Sequence, residues 1–487
     1  QQGRVIASFG ARSELIAKAL DGAAHKAGKG VRWDLGKSAD LVDEVTSIVE
    51  YPVVLAGSFD KAFLDVPKEC LVISMQQHQK YFPLADASGK LLPNFLFVSN
   101  MKAANPKDIV HGNERVLRAR LSDARFFYDQ DRKARLETRV PRLANVVYHN
   151  KLGSQLQRVQ RLQKLAGQIA RLLQADASLA ERAAMLAKAD LLTDMVGEFP
   201  ELQGIMGRYY ARHDGEVPAV AAAIEQHYFP KTAGGTLPEG AVAICAALAD
   251  KLDTLTGIFG IGLVPSGDKD PFGLRRSALG VVRILAEESL ALDVLDLLTL
   301  ARGHFPAGTV ADSVAQDLHA FMLERLKPYL RDKLFEVDEI DAIVSLSPTR
   351  FDQVLPRLKA LQAFRALPQA EALAAANKRI RNILKQAGDV PATTVDPALL
   401  REPAEQQLAQ EVEALRAQVE ALLNTGNYAA ALRALASLRP AVDAFFDKVM
   451  VMAEDTALRH NRLALLVNLS NLFLGAADIS RLQSRQA

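Results

Sequence analysis

Cysteine is almost absent from this chain of 487 residues, which carries only Cys70 and Cys245. Two such distant thiols exclude a disulfide framework and a CxxC metal knuckle, and they suit a reducing compartment, so a cytoplasmic location is expected. No apolar run reaches the roughly 18 residues needed to span a membrane, and no signal peptide opens the chain. It begins at Gln1, without methionine, in sequence that already reads as folded, so a fragment is expected. Overall charge is also slight, because 59 Lys and Arg against 57 Asp and Glu leave +2. Catalytic signatures are missing too. A phosphate-cradling P-loop needs glycine, four residues, then Gly-Lys-Ser/Thr. Gly36-Lys37-Ser38 is present, but Val31 occupies the first glycine position and Gly30 lies one residue too early. There is neither a GxSxG elbow nor an HExxH zinc helix.

What the sequence does contain is apolar residues in regular patterns. A hydrophobic content of 49% supports several buried cores, and the length suggests about three domains. Before His111 the signals are mixed. Val53–Leu55, Leu71–Ser74 and Asn94–Ser99 read as strands bounded by Pro, Gly and Asn, and Ala39–Glu50 reads as a helix. After His111 the pattern is helical. Helices are expected over Leu152–Leu173, Ala180–Val196, Ala241–Leu255 (buried, being nearly uncharged until Asp250), Arg275–Ala286 and Leu292–Ala301, with a Gly/Pro loop over Gly257–Pro271. Proline-containing stretches at Ser345–Pro356 and Gly388–Pro403 suggest further boundaries. Beyond them, Ala404–Leu423, Tyr428–Leu438, Val442–Met452 and Asn461–Leu474 read as a helical bundle.

Charge is distributed unevenly. From His111 to Arg171 there are fourteen Lys/Arg and five Asp/Glu, or +9, so the remainder sums to −7. Such a stretch is either a local polyanion contact or a solvated helical surface. Within it, Arg115, Arg118, Arg120 and Arg125 lie close to Phe126, Phe127 and Tyr128. Guanidinium forks suit phosphates and aromatic faces suit bases, although packed aromatics with structural ion pairs fit the same spacing. Arg158, Arg161 and Lys164 are expected on the outside of their helix. Near the C-terminus, Val442, Phe445, Phe446, Val449 and Met450 form an expected apolar face with Lys448 beside it. Arg459, His460, Asn461 and Arg462 follow at a helix start, where such residues suit a single-stranded RNA loop. His149, His213 and His227 share the middle region with Asp190, Asp194 and Glu198. These three carboxylates, spaced i, i+4 and i+8, would share one helix face, which could line a metal; a solvated acidic face is the simpler reading.

Seven segments, taken in order, resemble one family: LVDEVTSIVEYPVVLAGSFD (41–60), HQKYFPL (78–84), GNERVLRARLSDARFFYDQD (112–131), KADLLTDMVGEFPELQG (188–204), ALADKLDTLTGIFGIG (247–262), DPFGLRR (270–276) and FFDKVMVMAED (445–455). They resemble the beta subunit of bacterial heterotetrameric glycyl-tRNA synthetase, from about residue 4 almost to the C-terminus, without the family's N-terminal portion. The resemblance implies a multidomain, mainly α protein. It would comprise a truncated B3/B4-like α+β domain over residues 1–135, an HD-like helical domain with following helices over 136–335, and a helical linker with an anticodon-binding domain over 336–487. It also implies a cytoplasmic alpha2beta2 ligase in which the alpha subunit joins glycine to tRNA(Gly) using ATP and Mg, while this chain binds no cofactor and holds no catalytic residue or metal ligand. The HIGH and KMSKS signatures of class I synthetases are absent as well. Where an HD site needs an adjacent His-Asp pair, this sequence has Ala189-Asp190, which removes a ligand. The nine tRNA-contact candidates are Arg115, Arg118, Arg120, Arg125, Arg158, Arg161, Lys448, Arg459 and Arg462. Two rivals are a metal-dependent phosphohydrolase and an RNA-binding module with no synthetase partner. In HQKYFPL, His78 and Lys80 could serve an editing site, whereas a turn with a packed Tyr81-Phe82 pair is the simpler reading.

Overall fold

Alternating apolar residues of the first hundred positions build a small antiparallel sheet with helices beside it. The computed structural model describes residues 5–36, 38–388 and 394–483. Helix α1 (Phe9–Ala27) and helix α2 (Ser38–Ile48) precede strand β1 (Val53–Ser58). A short helix α3 (Lys68–Ile73) runs into a wider turn, Ser74–His78, before strands β2 (Phe82–Ala85) and β3 (Leu91–Ser99). The strand order is β1-β3-β2, with Val53 opposite Ser99 and Phe82 opposite Leu96. Ile16 and Leu20 of α1, Leu41 and Val45 of α2, and Phe82, Leu84 and Leu96 of the sheet meet in one buried cluster. Two expected strands are present, but Leu71–Ser74 is helical. A four-residue apolar run fits either state, and here Pro67 starts a helix that buries Cys70 and Leu71.

The 26-residue helix α4 (Pro106–Asp131) follows, capped by the Asn105 side chain on Lys107 N and started by Pro106. Then come α5 (Leu136–Arg139), the hairpin β4 (Val147–His149) and β5 (Gly153–Ser154), α6 (Gln155–Leu172) and α7 (Ala177–Leu186). The single helix expected over Ala180–Val196 is instead broken. A 3₁₀ turn over Ala189–Leu192 ends at Thr193, whose backbone is extended and whose hydroxyl caps α8 (Asp194–Glu198). Helices α9 (Ile205–His213) and α10 (Pro218–Gln226) follow.

The chain divides into two compact units. One runs to Gln163 and includes Ser178–Tyr228; the other holds Lys164–Ala177 and everything from Phe229 onward. In the second unit, α11 (Ala241–Thr254) is buried along almost its whole length: its uncharged run before Asp250 predicts this, and Asp250, Lys251 and Asp253 at its end are buried as well. Helices α12 (Leu274–Glu287), α13 (Val294–Arg302) and α14 (Val314–Asp332) pack with it or with one another. Next come α15 (Val337–Val344), α16 (Val354–Arg365) and α17 (Ala370–Ala387). The C-terminal helices are α18 (Pro403–Asn424), α19 (Tyr428–Ala436), α20 (Arg439–Lys448) and α21 (Thr456–Leu474), with α18 packed against the other three. Part of the expected boundary Gly388–Pro403 lies outside the described residues.

Candidate nucleic-acid interface

Helix α4 is amphipathic. Leu117, Leu121 and Ala124 are fully buried on one side. Arg115, Arg118 and Phe126 lie on the solvent side, at spacings that place them along a common stripe. Phe126 is 57% exposed, so an aromatic face stands in water on the same side of α4 as the two guanidinium groups, more than two turns further along. Arg120 is exposed too, but its position turns it away from that stripe. Arg125 is half-exposed but tied down: its Nη1 donates to Ala62 O at 3.3 Å, and its Nε lies 3.7 Å from Asp129. Of the neighbouring aromatics, Tyr128 stacks on Tyr210 rather than facing solvent.

The helix is held in its first half and at its C-terminal end. Glu114 accepts from the amide and hydroxyl of Ser58 at 2.7 and 2.9 Å, and the Tyr81 hydroxyl donates to Asn113 at 2.6 Å. At the far end, buried Asp131 accepts from the amides of Asp194 and Met195 (2.9 and 3.0 Å), from the Tyr210 hydroxyl (2.8 Å) and from Arg139 (3.3 Å). One carboxylate thereby caps α8 and fixes α4 to it. Burial, followed by the nearby Asp131 charge, pushes the Tyr210 phenol well above its usual range. No periodicity signal singles out Asp131, because its partners come from distant segments.

Several placements differ from the sequence reading. Arg158 and Arg161 are buried, not outward. The Arg158 guanidinium lies 4.3 Å from the centre of the Tyr148 ring, and Arg161 donates to Leu152 O at 3.3 Å. The 147–154 hairpin supplies both partners and covers what periodicity alone marks as a polar face. Lys164 is exposed as expected. Asp190, Asp194 and Glu198 do not share one face, because the break at Thr193 separates Asp190 from the other two. Asp194 and Glu198 are exposed, whereas Asp190 is fully buried. Asp190 Oδ2 accepts from the amides of Gly204 and Gly207 (2.5 and 3.0 Å) at the start of α9. Burial outweighs those hydrogen bonds and the neighbouring Lys188 charge, pushing this carboxyl up to about 6.

The histidines are likewise engaged elsewhere. His227 Nδ1 donates to Ile224 O at 2.7 Å, which leaves Nε2 to accept from the buried Lys188 ammonium at 2.7 Å. His149 Nδ1 accepts from Lys151 N, and His213 Nδ1 accepts from Arg132. Among the described residues, no three His, Cys, Asp or Glu side chains are grouped to hold a metal. Tyr81 and Phe82 are buried, and His78 stacks on Phe199, so HQKYFPL forms a packed turn. Lys80 pairs with Glu44 at 2.7 Å on the wall of a cavity of about 450 Å³.

In the C-terminal helices, Lys448 is exposed and Val449 buried, but Met450 is 73% exposed, so it does not belong to the apolar face expected for it. After α20 the backbone is extended at Val449, and outward Met450 and Met452 alternate with inward Val449 and Val451 up to a bend at Val451 and Met452. Arg459 closes this connection by donating to Ala453 O at 3.0 Å and to the Thr456 hydroxyl at 3.3 Å. Asn461 is buried and exchanges two hydrogen bonds with the Asp396 backbone, at 2.7 and 3.1 Å, so it does not face solvent at the helix start. Arg462 is buried as well, paired with fully buried Glu405 and donating to Met450 O at 2.7 Å. Glu405 in turn accepts from the amides of Arg401 and Glu402 at the start of α18.

Comparison with known proteins decides the identity. A family model described as glycyl-tRNA synthetase beta subunit matches residues 1–345. The chain belongs to the glycyl-tRNA synthetase beta-subunit family. A second model, the DALR anticodon binding domain, matches residues 373–479, which span α17 to α21. The glycine–tRNA ligase beta subunit of Aromatoleum aromaticum is 56% identical over 99% of this chain and 69% of its own length. The corresponding subunits of Ralstonia nicotianae and Neisseria meningitidis serogroup C are 53% and 52% identical, again over 99% of this chain, and over 68% and 69% of their own lengths. This beta subunit is thus part of an aminoacyl-tRNA ligase, with an alpha-subunit partner implied. It is mainly helical, carries an anticodon-binding domain, and among its described residues has no helix long and apolar enough to cross a membrane.

Proposed function

We propose that this beta subunit grips tRNA(Gly) through two basic surfaces and leaves the joining of glycine to tRNA, with its ATP and Mg, to the alpha subunit of an alpha2beta2 assembly in the cytoplasm. The observation that carries this reading is the solvent-facing stripe of α4 that holds Arg115, Arg118 and the exposed ring of Phe126. Two guanidinium groups can pair with phosphates of the tRNA body while the ring stacks on a base. Arg120 adds positive charge on the adjoining face. At the C-terminal bundle, Lys448 beside Met450 is the exposed basic site for the anticodon arm, and Arg459 borders it. The burial of Arg158, Arg161 and Arg462, and the contacts of half-exposed Arg125 with Ala62 and Asp129, support a structural role for those four.

The finer domain reading is part of the same proposal. Residues 1–135 form a B3/B4-like domain, 136–335 an HD-like domain that serves as scaffold, and 336–487 the linker and anticodon-binding domain. The occupation of Asp190 by two backbone amides supports a scaffold over a metal site.

The test is tRNA affinity as a function of salt for the wild type and for Arg118→Ala combined with Arg120→Ala. Each lost phosphate contact lowers the slope of log affinity against log salt by about 0.9 on duplex and about 0.7 on single strands. An unchanged slope removes both arginines from the interface. Glycylation assays with alpha alone, this chain alone and both together test the division of labour, which activity from this chain alone would overturn.

A further inference from the structure

In the second unit, apart from every surface assigned above, a cleft of about 770 Å³ opens between α12, α14 and the Thr232–Gly234 segment. Five cationic side chains line it (Arg275, Arg276, Arg283, Arg325 and Lys333) against two carboxylates, Glu287 and Asp332, leaving +3. Arg275 and Arg276 close the DPFGLRR segment, which none of the assignments above uses.

These cations divide by what already holds them. Arg283 is a built-in clamp. Its Nη1 donates to Ala233 O and Gly235 O at 2.8 Å each, and its Nε to Glu287 at 2.8 Å, fixing the loop that forms one wall. Glu287 also accepts from the Tyr329 hydroxyl at 3.0 Å, with Lys333 3.9 Å away, so one of the two carboxylates is taken up. Arg275 donates to Gly267 O at 2.6 Å, while Asp270 caps the start of α12 beneath it. Arg276 and Arg325 are different. Neither forms an ion pair or hydrogen bond among the described residues, Arg325 rests over Phe321 at 5.3 Å, and its Nε is buried without an acceptor. Guanidinium groups gathered in a cleft repel one another, and a buried donor left unpaired is costly. An anion in the cleft relieves both conditions.

We propose that this cleft binds phosphate groups of an RNA backbone, with Arg276 and Arg325 donating to the phosphate oxygens and Lys333 adding charge. A free nucleotide shares the phosphate chemistry but also needs a surface for its base. The aromatic ring in the lining, Tyr329, is covered by Lys333 at 5.0 Å, and its hydroxyl is held by Glu287. That favours a ligand presenting phosphates without a stacked base. The inference rests on the tRNA-binding reading above and adds a contact that reading does not contain.

The experiment uses the intact ligase, this beta subunit with its alpha partner, and measures tRNA binding by fluorescence anisotropy over a salt series. Arg276→Gln combined with Arg325→Gln is expected to lower the slope of log affinity against log salt by about 1.4 to 1.8, equally for tRNAs of different sequence. Arg276→Lys combined with Arg325→Lys keeps the charge and is expected to restore most of the slope, which separates loss of phosphate contact from loss of fold. Unchanged slope and affinity in the Gln pair overturn the proposal. So does a Gln pair that loses competition by inorganic phosphate or ATP while its tRNA slope stays at the wild-type value, since the cleft would then serve free phosphates. A wild-type ligase whose tRNA affinity ignores salt removes the tRNA-binding reading itself. A normal wild-type slope that falls in the Arg118→Ala, Arg120→Ala protein but not in the Gln pair removes only the cleft.

Discussion

Arg462→Ala separates a structural arginine from an RNA contact. In sequence the residue sits in a basic run at a helix start; in the fold it neutralises Glu405, which is fully buried. Removing the guanidinium deletes the ion pair and the hydrogen bond to Met450 O, and leaves the carboxylate with only the amides of Arg401 and Glu402. Breaking a buried pair from one side costs about 3–5 kcal/mol. In a domain of ~100 residues, 1 kcal/mol corresponds to ~5 °C, so the melting transition of the C-terminal helices should fall by roughly 15–25 °C. Below that transition, the salt dependence of tRNA binding should equal that of the wild type. Replacing both partners, as in Glu405→Leu with Arg462→Met, should recover most of the loss, short of the cap on α18, worth about 1 kcal/mol. The assay is calorimetry or circular dichroism alongside the salt series. If Arg462→Ala melts within a few degrees of the wild type while its salt slope drops by about 0.7 to 0.9, the reasoning fails, because that is how an exposed phosphate contact behaves.

Other expectations follow from the same packing. The Asp190 carboxyl, pushed from 3.8 up to about 6 by burial, binds a proton more readily folded than unfolded. Its contribution is therefore fully present at acid pH and is lost as pH rises between those values. Asp190→Asn should gain on the wild type by roughly 2 kcal/mol between pH 4.5 and pH 7 in urea titrations; a difference independent of pH would sink the assignment. Gly207→Ala would place a methyl 2.6 Å from Ile224 and 3.0 Å from Asp190, and should lower stability by about 1–3 kcal/mol; a denaturation midpoint equal to wild type would contradict that. Burial raises both thiols, Cys245 to about 12 and Cys70 further. A disulfide reagent at pH 8 should therefore label neither until the protein unfolds, and rapid labelling of the native chain would show the burial to be wrong.

Legibility differed between kinds of feature. Long periodic elements could be read directly: α2, α11, α12, α18 and α19 lie close to where their apolar spacing puts them, since a stripe at helical spacing needs no distant information. Shorter apolar runs were ambiguous. Leu71–Ser74 looks like a strand and is helical, because four apolar residues suit either state and the decision lies with Pro67 and the core around Cys70. The helix expected across Ala180–Val196 hides a break, because Thr193 serves as a cap, a role that apolar spacing does not report.

What the sequence determined by itself is the protein's kind: the order of its motifs carries the family, its helical periodicity carries the mainly α architecture, and its +9 stretch marks where basic residues concentrate. Only the tertiary structure decided which basic residues, in that stretch or beyond it, meet solvent. Periodicity assigns a side chain to a face of its own helix and says nothing of what another segment lays over that face. Arg158 and Arg161 lie under a hairpin and Arg462 against Glu405, whereas Arg115 and Arg118 have water on their side of α4. The same holds for the cleft of Arg276 and Arg325. Their positions are about fifty residues apart, and only the folded chain brings α12 and α14 close enough for the two guanidinium groups to line one opening.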